Sequence, residues 1–220
     1  MIQNDAVGVA LVYIYVALLL LLTEKILVKY PQISRKILHI MTGNIAFFLP
    51  IFQTREVMAF IAAGPFILFT FLMSPFSPLK NIKGKTSEAG HGLGLVYYAI
   101  SWTILAYFFF DQKIIIAVGI LAMSYGDGFA SVLGSKFGNK RFNIFKDEKS
   151  IIGSLSMFVF TLIPIIFAMV FYTIPVTTIT ISYLIAVSMV ATVIEAITPK
   201  GLDNLSVPLI TSLTYLILMP

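Results

Sequence analysis

Residues 124–150 read SYGDGFASVLGSKFGNKRFNIFKDEKS, a stretch of reactive side chains in a chain that is mostly hydrocarbon. Asp127 is a carboxylate set in an apolar run. Near a membrane interface such a group pairs with a cation, holds a metal or accepts a proton, and an ionisable residue inside a span marks function by default. Ser131 stands one helical turn later, on the same face. Lys149-Ser150 followed by Gly153-Ser154 sets a cation, two hydroxyls and a glycine where the next apolar run begins. The free N–H groups and dipole of a helix N-terminus bind phosphate, and lysine adds a point charge. The Walker A pattern GxxxxGK[ST] occurs nowhere in the chain.

A second acidic segment, EAITPKGLDNLSVP, occupies residues 195–208. Glu195 closes one apolar run, and Asp203-Asn204 open the next after a turn containing Pro199 and Gly201. Asp203 reads either as a helix N-cap or, with Asn204 and another carboxylate, as an oxygen-ligand set for a hard cation such as magnesium. SRKILH (34–39) puts Arg35 and His39 on one helical face, with Lys36 beside them; these cations suit lipid headgroups or nucleotide phosphates. Glu88 and His91 lie in a glycine-rich stretch with no preceding strand, so its glycine spacing is not a dinucleotide fingerprint. They read as lining residues.

These side chains need elements to carry them. The chain has 220 residues, 59% hydrophobic and 11% charged, against about 25% charged in a soluble domain. Eight apolar runs approach the roughly 20 residues that cross a bilayer: 6–23, 38–52, 57–73, 92–110, 114–133, 152–172, 179–197 and 204–219. An all-α, polytopic bundle follows, with seven spans as the alternative because several runs are short and the last contains Pro208. Residues 1–220 read as a single domain. The first run lacks the basic flank and cleavage site of a signal peptide and reads as a retained helix. Gly126, Ala130, Gly134 and Gly138 lie four apart, the spacing of a small-residue packing seam between membrane helices.

Thirteen of the 15 lysines and arginines fall in alternate loops, leaving Arg55 and Lys113 on the other side. This positive-inside asymmetry places both termini outside. Glu24, Glu88, Asp127, Asp147, Glu148, Glu195, Asp203, His39 and His91 gather on the same, cytoplasmic side. Chemistry is therefore expected at that face of a cell or endoplasmic reticulum membrane. The net charge of +5 records topology rather than nucleic-acid binding. The absence of cysteine excludes disulfides and thiolate chemistry. A transporter would spread polar groups through the midplane and show repeat symmetry, and neither is present.

Taken in order, RKILH, SYGDGFASVLGSKFG, KSIIGS and EAITPKGLDNLSVPL resemble the dolichol kinase, phytol kinase and CTP-dependent diacylglycerol kinase family of integral membrane lipid kinases. The resemblance spans residues 35–210. It implies a kinase that uses CTP and a divalent metal, Mg²⁺ or Mn²⁺, to phosphorylate a lipid alcohol within the bilayer. Dolichol or another polyprenol is the expected acceptor; phytol, geranylgeraniol and diacylglycerol are alternatives, as is cytidylyl transfer to a lipid phosphate. By the resemblance Asp127 is the essential aspartate, and Lys149, Ser150, Gly153 and Ser154 form the phosphate loop. Asp203, Asn204 and Glu195, with Asp127, form the metal set. Arg35, Lys36 and Lys140 are further cations for the nucleotide, and His39, Glu88, His91 and Ser131 line the site. One departure is Ile152, where many members carry glutamate before the loop glycine. The oligomeric state is not set by the sequence.

Overall fold

A computed structural model describes residues 2–78, 92–144, 147–199 and 201–219. Glu88 and His91 lie outside the described residues. The chain divides into two compact units, residues 1–113 and 114–220.

In the first unit, α1 spans Gln3–Leu21 and runs on as a π-helical turn, Leu22–Ile26. Helix α2, Pro31–Thr42, opens on a proline at its first turn, where the missing N–H costs nothing. The run expected to span at 38–52 forms no such helix. It takes in the end of α2 and two short 3₁₀ turns, Gly43–Phe47 and Leu49–Ile51, because Gly43, Asn44 and Pro50 disfavour continued α-helix. A π-helical segment, Val57–Ala63, leads at Gly64 into α3, Pro65–Met73, and α4 spans Gly94–Phe108.

Polar stitches hold this unit together. The fully buried Asp5 carboxylate accepts N–H groups from Gln53 at 2.7 Å and Thr54 at 3.2 Å, and the Thr54 hydroxyl at 2.6 Å. Tyr15 donates to the Met41 carbonyl and accepts from Asn44. Ser34 donates to the carbonyls of Thr23 and Leu27, satisfying groups that a helix end leaves open.

The second unit is built on one long element: α5 (Lys113–Leu121), a π-helical stretch (Ala122–Asp127) and α6 (Gly128–Phe137). Then come strands β1, Arg141–Ile144, and β2, Asp147–Ser150, and helices α7, Ile151–Phe171, α8, Thr178–Ile197, and α9, Asp203–Leu218. The other elements of the described chain are helical, as expected of an all-α fold, and this short hairpin is its one sheet among the described residues. Its antiparallel register sets Arg141 opposite Ser150 and Phe142 opposite Lys149, and Arg141 Nη1 closes it on Glu148 Oε2 at 2.7 Å.

Among the described residues four helices are long and apolar enough to cross a membrane: Gln3–Ile26, Lys113–Phe137, Ile151–Phe171 and Thr178–Ile197. Val57–Met73, Gly94–Phe108 and Asp203–Leu218 are apolar but shorter. Helices α7 and α9 continue through Pro164 and Pro208, so the last run is not broken at its proline. The helical bundle expected of a membrane protein is present.

The small-residue seam is a packing device. A Cβ on Gly126 would collide with Thr161 Oγ1, and one on Gly134 would lie 3.1 Å from the Gly153 Cα. From Gly126 to Gly134 the chain climbs eight residues while its α7 partners descend eight, from Thr161 to Gly153. The two helices thus run antiparallel at backbone contact, as small residues allow.

Candidate functional site

Lys149 is the penultimate residue of β2, one step before Ser150 caps α7. Its ammonium pairs with Oε1 of Glu195, in the last turn of α8; the glutamate side chain is buried, 5% exposed, and the lysine side chain largely covered, 15% exposed. Burial alone would favour the neutral amine. Glu195 outweighs it, helped by the charges of Asp127 and Asp203, so the ammonium keeps its proton above the ordinary lysine range. Three carboxylates from three elements therefore act on the charge of one cation, Glu195 by direct contact.

Each carboxylate is placed by local structure. Asp127 ends the π-helical stretch, and such insertions recur at functional sites because they re-aim a side chain within a helix. Asp203 is the first residue of α9, where its charge suits the helix dipole. Its Oδ1 accepts the N–H of the neighbouring, buried Asn204 at 2.9 Å, and no side chain caps the helix; the N-cap alternative for Asp203 does not hold. The turn before it needs Gly201, at φ 87°, a conformation open chiefly to glycine. Thr198 Oγ1 and Ser206 Oγ, 2.9 Å apart, tie the end of α8 to the start of α9.

The expected phosphate loop is arranged differently from its sequence reading. Ser150 Oγ accepts the Gly153 N–H at 3.0 Å, an N-cap bond, and the Ile151 N–H donates to the Lys140 carbonyl at 3.1 Å. Two of the first-turn donors are thus used inside the protein. Gly153 is buried against α6, where a Cβ would lie 3.3 Å from the Ala130 carbonyl oxygen. Ser154 is the polar group left over, for its Oγ is buried with no hydrogen-bond partner among the described residues.

Glu195, expected among metal ligands, is engaged by Lys149. Among the described residues no three carboxylates or imidazoles stand close enough to form a metal cage. Magnesium that travels with a triphosphate needs one or two protein carboxylates rather than a cage. Ser131 and Lys140 are exposed on the second unit. Arg35, Lys36 and His39 belong to α2 of the first unit, where His39 packs edge-on against Tyr98 at 5.2 Å. Sequence reasoning missed the hairpin that carries Lys149, since four-residue strands without apolar alternation leave no periodic signal.

A phytol kinase of Synechocystis sp. is 31% identical over 211 residues, covering 93% of this chain and 87% of the relative. The chain belongs to the phytol and polyprenol kinase family of membrane lipid kinases. Two further members of the kinase family bear on it. A probable chloroplastic phytol kinase of Triticum aestivum is 33% identical over 215 residues, with 90% of this chain and 70% of the relative covered. Phytol kinase 1, chloroplastic, of Arabidopsis thaliana is 32% identical over 205 residues, covering 83% and 65%. No family model matches the chain, and no solved structure matches it.

Proposed function

We propose that this chain transfers the terminal phosphoryl group of CTP to the hydroxyl of an isoprenoid alcohol at the cytoplasmic face of its membrane. The observation that carries the reading is the buried Lys149–Glu195 pair with Asp127 and Asp203 around it, in a chain related to phytol kinases. Those relatives favour phytol or a similar alcohol over dolichol. CTP as donor and the cytoplasmic placement rest on the family resemblance and on the basic loops.

Phosphoryl transfer asks little covalent help of a protein; positioning and charge neutralisation dominate. Lys149, held by Glu195, draws a phosphate oxygen towards the positive end of α7, and Ser154 offers its buried hydroxyl. Asp203 and Asn204 are the residues that would hold a divalent cation, which neutralises triphosphate charge when bound. Asp127 accepts the proton of the lipid hydroxyl as that oxygen attacks.

The test is a panel of phytol, geranylgeraniol, dolichol and diacylglycerol with each nucleoside triphosphate, using purified protein in nanodiscs. Label from γ-phosphate should appear in the lipid. Label released as pyrophosphate would instead identify a cytidylyltransferase. Asp127→Asn should lower kcat about 10²- to 10⁴-fold, the usual worth of a general base, with an unchanged apparent metal affinity and melting temperature. A shifted metal requirement would move Asp127 from base to ligand.

A further inference from the structure

The cation at the centre of the site has no stiffness of its own. Lysine carries its charge on a flexible stem, yet phosphoryl transfer depends on charges held in place. Glu195 holds the ammonium end of Lys149. The backbone end is held by the residue that follows.

Ser150 is buried, 8% exposed, and engaged on every side. In the sheet it pairs with Arg141, and the adjoining Ile151 N–H donates to the Lys140 carbonyl at 3.1 Å. At the start of α7 its Oγ accepts the Gly153 N–H at 3.0 Å. Towards α6 the same hydroxyl donates to the Gly134 carbonyl, at the longer distance of 3.5 Å. The end of α6 is shaped to receive it. A Cβ on Gly138 would stand 2.5 Å from both Cβ and Oγ of Ser150, and one on Gly134 would stand 2.9 Å from its Oγ. Arg141 closes the same corner, its Nε donating to the Gly138 carbonyl at 3.1 Å.

A serine hydroxyl has one proton to donate, and here it is directed at Gly134, so none remains for a phosphate oxygen. The backbone of Ser150 is extended, at φ −128° and ψ 150°. Successive side chains of a strand point to opposite faces. Seating Ser150 against α6 therefore turns Lys149 to the other face, where it meets Glu195. A slip of one residue would exchange the two.

We propose that Ser150 is a positioning residue for Lys149 and not a ligand of the nucleotide: its hydroxyl locks the register of β2 against α6, so that the ammonium meets Glu195 and the incoming phosphate oxygen. Of the two loop serines, Ser154 is then the one whose hydroxyl is available, being buried without a partner among the described residues. The nucleotide in this inference rests on the lipid-alcohol kinase reading; the placing of Lys149 does not.

Two measurements on full-length protein in nanodiscs test it. In the first, amines are acylated with acetic anhydride and the extent at each lysine is read by mass spectrometry. Ser150→Ala should raise labelling of Lys149 by about threefold or more, the lower end of what a lost N-cap is worth. Labelling of Lys136, exposed on α6, should stay unchanged as the control. Equal labelling of Lys149 in both proteins overturns the proposal. In the second, CTP binding is titrated by calorimetry in a double-mutant cycle with Lys149→Met. Acting through Lys149, Ser150→Ala should raise Kd for CTP about tenfold in the wild-type background and leave it unchanged in Lys149→Met. Equal weakening in both backgrounds makes Ser150 a phosphate ligand. No weakening in either, with only a lower melting temperature, makes it a helix cap alone. Either result overturns the proposal. Ser150→Gly, glycine being tolerated at N-caps, gives the same readings should the alanine variant unfold. If wild-type protein binds no nucleoside triphosphate while Lys149 labelling still responds to Ser150→Ala, the kinase reading falls and the positioning role stands.

Discussion

Lys149 reads in the sequence as a cation for phosphate, and in the structure it is largely buried and committed to Glu195. Removing one partner of a buried pair strands the other charge, so Glu195→Gln should cost about 3–5 kcal/mol of stability. The double variant Lys149→Met with Glu195→Leu should recover much of that loss while staying inactive. Thermal melts and phosphoryl-transfer assays on the single and double variants read both effects. The pH dependence follows from the same contact. Because the folded lysine binds its proton more tightly than the unfolded chain, the lysine's own stabilising contribution is complete below the unfolded lysine pKa, about 10.4. It is lost only as pH rises through the still higher folded value. Stability measured from pH 7 to 9 should therefore show no loss from this group.

At the scale of elements, the sequence was most legible where apolar runs are long. The runs at 152–172, 179–197 and 204–219 appear as α7, α8 and α9 within a residue or so at each end. The run at 38–52 failed because hydropathy does not distinguish a helix from 3₁₀ turns built around Gly43 and Pro50. The small-residue ridge was read as packing and is packing, although the π-helical stretch that shifts Asp127 has no signature in composition. The carboxylates of the site were legible because acids are costly in apolar surroundings. The phosphate loop was misread in part, since a helix cap and a phosphate cradle use the same residue types. The seam makes its own prediction. Gly126→Ala should destabilise the protein by about 1–3 kcal/mol through overpacking, and adding Thr161→Ala should restore much of it, as a double-mutant melting series would show.

At the scale of the whole molecule, the basic loops predict that both termini lie outside. Because the chain has no cysteine, any introduced thiol reports its own position alone. Gln112 and Asn139 are exposed and fall on opposite faces by the positive-inside pattern. In sealed, oriented vesicles, Asn139→Cys should react with an impermeant maleimide only from the cytoplasmic side and Gln112→Cys only from the other. Labelling of both from one side would overturn the proposed orientation.

Ser150 ends a strand, caps a helix and fills the notch left by Gly134 and Gly138. A larger residue there has nowhere to go, and a smaller one uncaps α7. The backbone next to Lys149 is thus mechanically pinned and offers natural variation almost no foothold.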